Sequence, residues 1–162
     1  MNVLGLDPAT TTGFAWSDGT TTKHGIWYLN KVKRLSDLYD KIMDVHTNWG
    51  PLTAIAYEDA SFGAVNRNTQ AAHNELRGVV RLVGERLDIP TTPFHPTTVK
   101  ALSGSGRANK LDMKLACKRL LGIDVRTDDE ADAIFVLEAW KEKQQKDRII
   151  AAAVPETVER LF

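Results

Sequence analysis

The sequence predicts an α/β fold, a mixed five-stranded sheet with helices on both faces. Three observations carry that prediction. The chain opens on a short apolar run, Val3 to Leu6, which ends in a lone carboxylate, Asp7, and is followed by a Pro/Thr/Gly turn and a second apolar run. The pattern returns at Leu52 to Tyr57, an apolar run closed by Glu58. Stretches with apolar residues at helical spacing alternate with further strand-like segments, as in sheets covered by helices.

Taken in order, Val3–Asp7 and Gly13–Ser17 read as a hairpin, apolar enough to lie at the centre of a sheet. Asp18-Gly19 is a turn, and Thr21 to Leu29 alternates as a third strand, so the first three strands form an antiparallel meander. Val32, Leu35, Leu38, Tyr39, Ile42, Val45, His46 and Trp49 make one face of an amphipathic helix that Gly50-Pro51 closes. His46 on that face reads as a packing residue rather than a ligand. The strand ending at Glu58 should run parallel to the first. Side chains alternate along a strand, so only one of Glu58 and Asp59 can share a face with Asp7; Glu58 is the choice.

Ala60 to Asn68 reads as a loop with one aromatic, Phe62. Ala72, Leu76, Val79, Val80, Val83 and Leu87 form the next helical stripe. Gly78 and Gly84 inside it imply a close neighbour, either the sheet or a second subunit. Ile89 to Phe94 is a short strand and Thr97 to Leu102 a brief helix. A Gly-rich loop, Ser103 to Lys110, then runs into a helix over Leu111 to Leu121. Asp128 opens the last main helix, which reaches about Gln145. Residues 1–145 form one domain, and 146–162 a tail with a short helix after Pro155.

Hydrophobic residues make up 43% of the 162 and charged residues 26%, the balance of an ordinary globular domain. No apolar run is long enough to span a bilayer and no secretory signal is visible, so no membrane association is expected. The single cysteine, Cys117, allows no internal disulfide and fits a reducing, cytoplasmic setting. Lys plus Arg and Asp plus Glu balance at 21 each, so any affinity for nucleic acid must be concentrated locally. Lys100, Arg107, Lys110, Lys114, Lys118 and Arg119 form a basic tract, and Asp124 to Glu138 an acidic one. Such neighbours suit a metal-dependent nuclease, one tract holding phosphates and the other metals; two solvated helix faces of opposite sign are the bland alternative.

Four carboxylates have a common address. Asp7 and Glu58 end neighbouring strands, where open α/β sheets carry their ligand sites. Asp129 and Asp132 begin the last helix, in line with Ala133, Val136 and Trp140. Asp128 could pair with Asp132 instead, although the i,i+3 spacing of Asp129 fits the stripe better. An oxygen-only ligand set suits hard cations, Mg2+ or Mn2+. Two such ions about 4 Å apart catalyse phosphodiester hydrolysis. Lys100, Arg107 and Lys110 are expected to face the scissile phosphates, and Lys114 and Lys118 to support the DNA arms.

At these residues the chain resembles the RuvC family of Holliday-junction resolvases, within the RNase H-like (retroviral integrase) superfamily. Gly5-Leu6-Asp7-Pro8-Ala9-Thr10-Thr11-Thr12-Gly13-Phe14-Ala15 is similar to that family's Gly-Ile-Asp-Pro-Gly…Thr-Gly-Tyr-Gly opening. The strand ending in Glu58 is similar to its second acidic motif, and Asn74-Glu75-Leu76-Arg77-Gly78-Val79 to its Gln-Ala-Arg-Gly helix. Val99-Lys100 with Gly104 to Lys110 resembles its basic segment, and Asp129-Glu130-Ala131-Asp132-Ala133 its Asp-x-Ala-Asp-Ala helix. The resemblance implies an RNase H-like fold and a homodimer that nicks opposing strands of a four-way junction. It also implies a wedge role for Phe62 and basic active-site roles for Lys100 and Lys110. Ala9 in place of glycine, and a segment one residue short between Lys100 and Gly104, point to a divergent, phage-type member that cuts branched DNA more broadly.

Two rival readings keep part of this pattern. An RNA-directed RNase H-like nuclease of the YqgF type would keep the carboxylates and metals. An actin/sugar-kinase-like nucleotide-binding lobe also has a Gly/Thr-rich turn after a first-strand Asp. The basic Gly-x-Gly segment disfavours the first, and the chain length disfavours the second.

Overall fold

The computed structural model describes residues 1–59 and 67–153, with only the backbone of Arg67. Five strands, β1 (Val3–Asp7), β2 (Thr11–Ser17), β3 (Thr22–Tyr28), β4 (Ala54–Glu58) and β5 (Thr91–Phe94), form one sheet in the order β3-β2-β1-β4-β5. β1 pairs antiparallel with β2, and β2 with β3, across turns too short for any other direction. β1 pairs parallel with β4, and β4 with β5. Those pairings need crossovers, which α1 (Arg34–Asn48) and α2 (Arg67–Leu87) supply. The expected meander and parallel addition are both present.

Alternation along the strands divides the core in two. Leu4, Leu6, Ile55 and Tyr57 face α1 and α2, together with Leu38, Ile42, Leu76 and Val80. Val3, Ala15, Ala54 and Ala56 face the other way, toward α5 (Asp128–Ala153). This second face is lined by small side chains, so α5 sits very close to it. A Cβ on Gly5 would lie 2.8 Å from the Ala133 carbonyl oxygen and 2.9 Å from the Leu137 amide nitrogen. α3 (Pro96–Ala101) and α4 (Lys110–Ala116) cover α5 from outside. Its first half is therefore buried nearly all round, including Ala131, Ile134, Phe135, Leu137 and Ala139, rather than along one stripe.

Several boundaries differ from expectation for identifiable reasons. α3 begins at Pro96, because the His95 ring accepts a hydrogen bond from the Thr97 amide at 3.2 Å and caps the helix. α4 begins at Lys110 behind a reciprocal Asn109/Asp112 cap. The helix expected through Leu121 becomes a π-helical turn at Cys117–Leu121, closed by Gly122 in the left-handed conformation. α2 starts at Arg67, ahead of the expected Ala72. α5 does not stop near Gln145 but continues to Ala153, so the expected domain boundary falls inside a helix. The helix expected after Pro155, and Phe62, lie outside the described residues.

The two glycines of α2 have different surroundings. A Cβ on Gly84 would meet Thr91 Cγ2 at 2.2 Å, so its close neighbour is the chain's own β5. Gly78 faces open space, and a Cβ there would meet nothing within 4 Å. His46 is a packing residue, its Nδ1 accepting from the Leu52 amide at 3.1 Å. Among the described residues, no helix is long and apolar enough to cross a membrane.

Candidate active site

Asp7 and Glu58 end adjacent parallel strands. The register pairs Gly5 with Ala56 and Leu6 with Tyr57, so the next residues, Asp7 and Glu58, stand side by side on the α5 face. Asp7 does not merely shape its turn. The turn is held by the Thr12 hydroxyl, which donates to the Ala9 carbonyl at 2.6 Å. Asp18, by contrast, does cap its turn, accepting from the amides of Thr20 and Thr21 at 2.7 and 2.6 Å.

The first turn of α5 brings Asp129 and Asp132 to the same place, and glycine makes that approach feasible. A Cβ on Gly13 would lie 1.8 Å from the Asp129 carbonyl oxygen. All four carboxylates are half-buried. Burial raises Asp7 well above the ordinary carboxylate range, and Glu58, Asp132 and Asp129 raise it further. Burial and then Asp132 push Glu58 up to about 7, against the pull of Lys100 and Arg77. Burial pushes Asp132 up to about 6, with Lys100 opposing. Asp129 is raised by burial and by Asp128.

Glu58 Oε2 and Asp132 Oδ1 are buried without a hydrogen-bond partner. Leaving a charged acceptor so costs several kcal/mol unless a cation satisfies it, on the order of 1–3 kcal/mol even for a neutral group. The donor set is oxygen-only, which fits a hard divalent cation. Among the described residues, no three Asp, Glu, His or Cys side chains are gathered closely enough to clasp one ion as they stand.

Asp128, the alternative ligand, is engaged elsewhere. It forms an ion pair with Lys110 Nζ, and that contact holds its carboxyl below the usual range. Lys100, half-buried on α3, stabilises the charged forms of Glu58 and Asp132. Lys114 acts on Asp128 from α4. Arg107 is exposed on the loop before α4. Lys118 is ion-paired with Asp124, away from the carboxylates that the other lysines address.

One residue near the site stood in a motif of the family resemblance but was given no role from the sequence. Arg77 of α2 is 8% exposed, contacts Asp59 at 3.5 Å and Asn74 Oδ1 at 2.9 Å, and favours the charged forms of Asp7 and Glu58. It reaches the acidic centre from the opposite face of the sheet. The helical pattern places it beside the core residue Leu76, but a periodicity cannot reveal which strand end lies above it.

Comparison with known proteins bears on this geometry. The family model described as "Crossover junction endodeoxyribonuclease RuvC" matches residues 3–138. A protein of that name from Pseudothermotoga lettingae is 34% identical over 114 residues, 68% of each chain. Its namesake from Thermosipho melanesiensis is 31% identical over 153 residues, covering 86% of this chain and 95% of the relative. The structure titled "T. thermophilus RuvC in complex with Holliday junction substrate" superposes with a TM-score of 0.76 at 21% identity, over 91% of this chain and 96% of the other. The fold is accordingly RNase H-like, with the mixed five-stranded sheet that the sequence predicted.

Proposed function

The chain belongs to the RuvC family of crossover junction endodeoxyribonucleases, and from that premise we propose that it resolves four-way DNA junctions at the Asp7/Glu58/Asp129/Asp132 centre. It is an endonuclease of a metal-dependent family. The observation that carries the site assignment is the convergence of two strand-end carboxylates and two helix carboxylates, with Glu58 Oε2 and Asp132 Oδ1 buried and unpaired.

In this reading Asp7, Glu58, Asp129 and Asp132 hold two Mg2+ or Mn2+ ions. When bound, such ions activate water and stabilise the leaving oxygen of a phosphodiester. The protein's own groups bind and orient the DNA. Lys100 stands beside Glu58 and Asp132, where a scissile phosphate would need a counter-charge. Lys110 and Arg107 extend positive charge along the approach, and Lys114 and Lys118 support the arms. Phe62 keeps its wedge role as an expectation of the family resemblance. Arg77 offsets repulsion among the carboxylates from below.

The enzyme acts as a homodimer, matching the near-twofold symmetry of a junction. The outward face of α2 supports this, with Gly78 open and Leu82 46% exposed. A single, buried cysteine supports a cytoplasmic setting.

The test is nicking of a synthetic four-way junction with Mg2+ or with EDTA, against duplex DNA and RNA of matched sequence. Metal-dependent nicks on opposing strands of the junction are expected. Equal cleavage of duplex or RNA would overturn the junction assignment.

A further inference from the structure

Glu130 stands between Asp129 and Asp132, yet its carboxylate points away from them into a separate arrangement. It is 7% exposed. Its Oε1 lies 2.7 Å from His24 Nδ1, and its Oε2 accepts from the Arg126 amide at 2.8 Å. The Glu130 amide in turn lies 3.2 Å from the Thr127 hydroxyl. His24 belongs to β3, the edge strand, which brings no group to the acidic centre. It pairs with Ala15 and shares that residue's face, the one α5 covers.

We propose that His24 is a positioning residue for the nuclease: by holding Glu130 it fixes the rotation of the first turn of α5, and so the angle at which Asp129 and Asp132 meet Asp7 and Glu58. The first turn needs such a tether. Its amides have no partners within the helix, and the carboxylates on its inner side repel one another. Close contact at Gly13 sets the distance of the turn from the sheet. From Ala133 onward close contact with Gly5 fixes α5 against the sheet; the turn ahead of it, which carries Asp129 and Asp132, is held by the Gly13 contact and by the His24–Glu130 bond. The inference rests on the reading of Asp129 and Asp132 as metal ligands.

The test compares wild type, His24→Ala and His24→Asn for Mn2+ binding, read by electron paramagnetic resonance without DNA or turnover, with thermal unfolding in EDTA alongside. The Asn amide nitrogen stands where Nδ1 does and can donate to Glu130. His24→Ala should bind Mn2+ about 10-fold more weakly, the lower end of the effect of losing a group bonded directly to a ligand, because His24 acts through Glu130. His24→Asn should recover most of that loss. Wild-type affinity in His24→Ala would overturn the proposal, as would a His24→Asn variant no better than His24→Ala. A lowered unfolding temperature with unchanged affinity would also overturn it, leaving a purely structural bond. Wild-type protein that binds no Mn2+ would overturn the metal-site reading and this proposal with it, a result distinct from failure at His24 alone.

Discussion

Gly13 and Asp129 approach so closely that a Cβ on the glycine would lie 1.8 Å from the aspartate's carbonyl oxygen. No side chain can be accommodated there without lifting the start of α5 from the sheet. Gly13→Ala should therefore cost about 1–3 kcal/mol of stability, the usual range for overpacking. It should also weaken Mn2+ binding and cleavage by at least 10-fold, because Asp129 and Asp132 move with the turn. Urea denaturation and metal titration check the two effects separately. A destabilised variant with normal metal affinity would show that the ligands do not depend on this contact.

The acidic centre should make the metal-free protein less stable as pH rises. Glu58 at about 7, Asp132 at about 6, and Asp7, raised by burial and its neighbours, all lie above their unfolded values. The native state therefore holds protons that the unfolded chain has released. That contribution is fully present below about pH 4, the unfolded range, and is lost as pH rises through 6 and 7. Melting in EDTA should show the fall, and Mg2+ should reverse it most strongly above pH 7. Asp7→Asn should flatten the profile, raise metal-free stability on the order of 1 kcal/mol or more, and abolish cleavage while junction binding survives. A flat profile in wild type would remove the carboxylate cluster as a titrating unit.

The strand-end carboxylates were legible because a strand's period of two and its apolar run fix both the position and the face of the residue that closes it. The meander and the parallel run of β4 with β1 followed from turn length and crossover length, whereas the place of β5 did not. The close neighbour implied for Gly84 is Thr91 of β5, one of the two options its place in the helix left open, but Gly13 against Asp129 and the influence of Arg77 on Asp7 were not legible. Both relate segments far apart in sequence, and a glycine or arginine looks the same whether or not such a neighbour exists. Spacing alone favoured Asp129 over Asp128 without excluding the latter, and the Lys110 ion pair on Asp128 supports the same choice. α5 outran its expected end because Lys143–Asp147 and Lys146–Glu142 pairs carry an exposed helix where no core stripe remains.

The outward face of α2 should hold the dimer together. Gly78 leaves room for a close backbone and Leu82 supplies exposed apolar surface. Leu82→Glu would place a charge at the centre of such an interface, at an exposed side chain that belongs to neither half of the core. Light scattering should show wild type as a dimer at micromolar concentration and the variant as a monomer. A monomeric wild type, with and without junction DNA, would count against the interface.

Lys110 and Asp128 make the sharpest test of how the basic segment works. Lys110 is exposed but ion-paired with Asp128, the immediate neighbour of Asp129. A DNA phosphate must therefore compete with a carboxylate for this lysine. Lys110→Ala should reduce the salt slope of junction binding by about one phosphate contact. It should also slow single-turnover cleavage about 10-fold or more at saturating enzyme, if the lysine stabilises charge that develops in the transition state. A solvated surface lysine would do neither, since an exposed pair contributes about 1 kcal/mol or less. Asp128→Asn probes the same pair from the other side. It removes the competitor, so junction binding should tighten, while metal affinity stays near wild type because Asp129 serves as the ligand. Loss of metal binding in Asp128→Asn would assign the ligand to Asp128 instead. Wild-type single-turnover rates in Lys110→Ala across a salt series would leave that lysine no part in the chemistry.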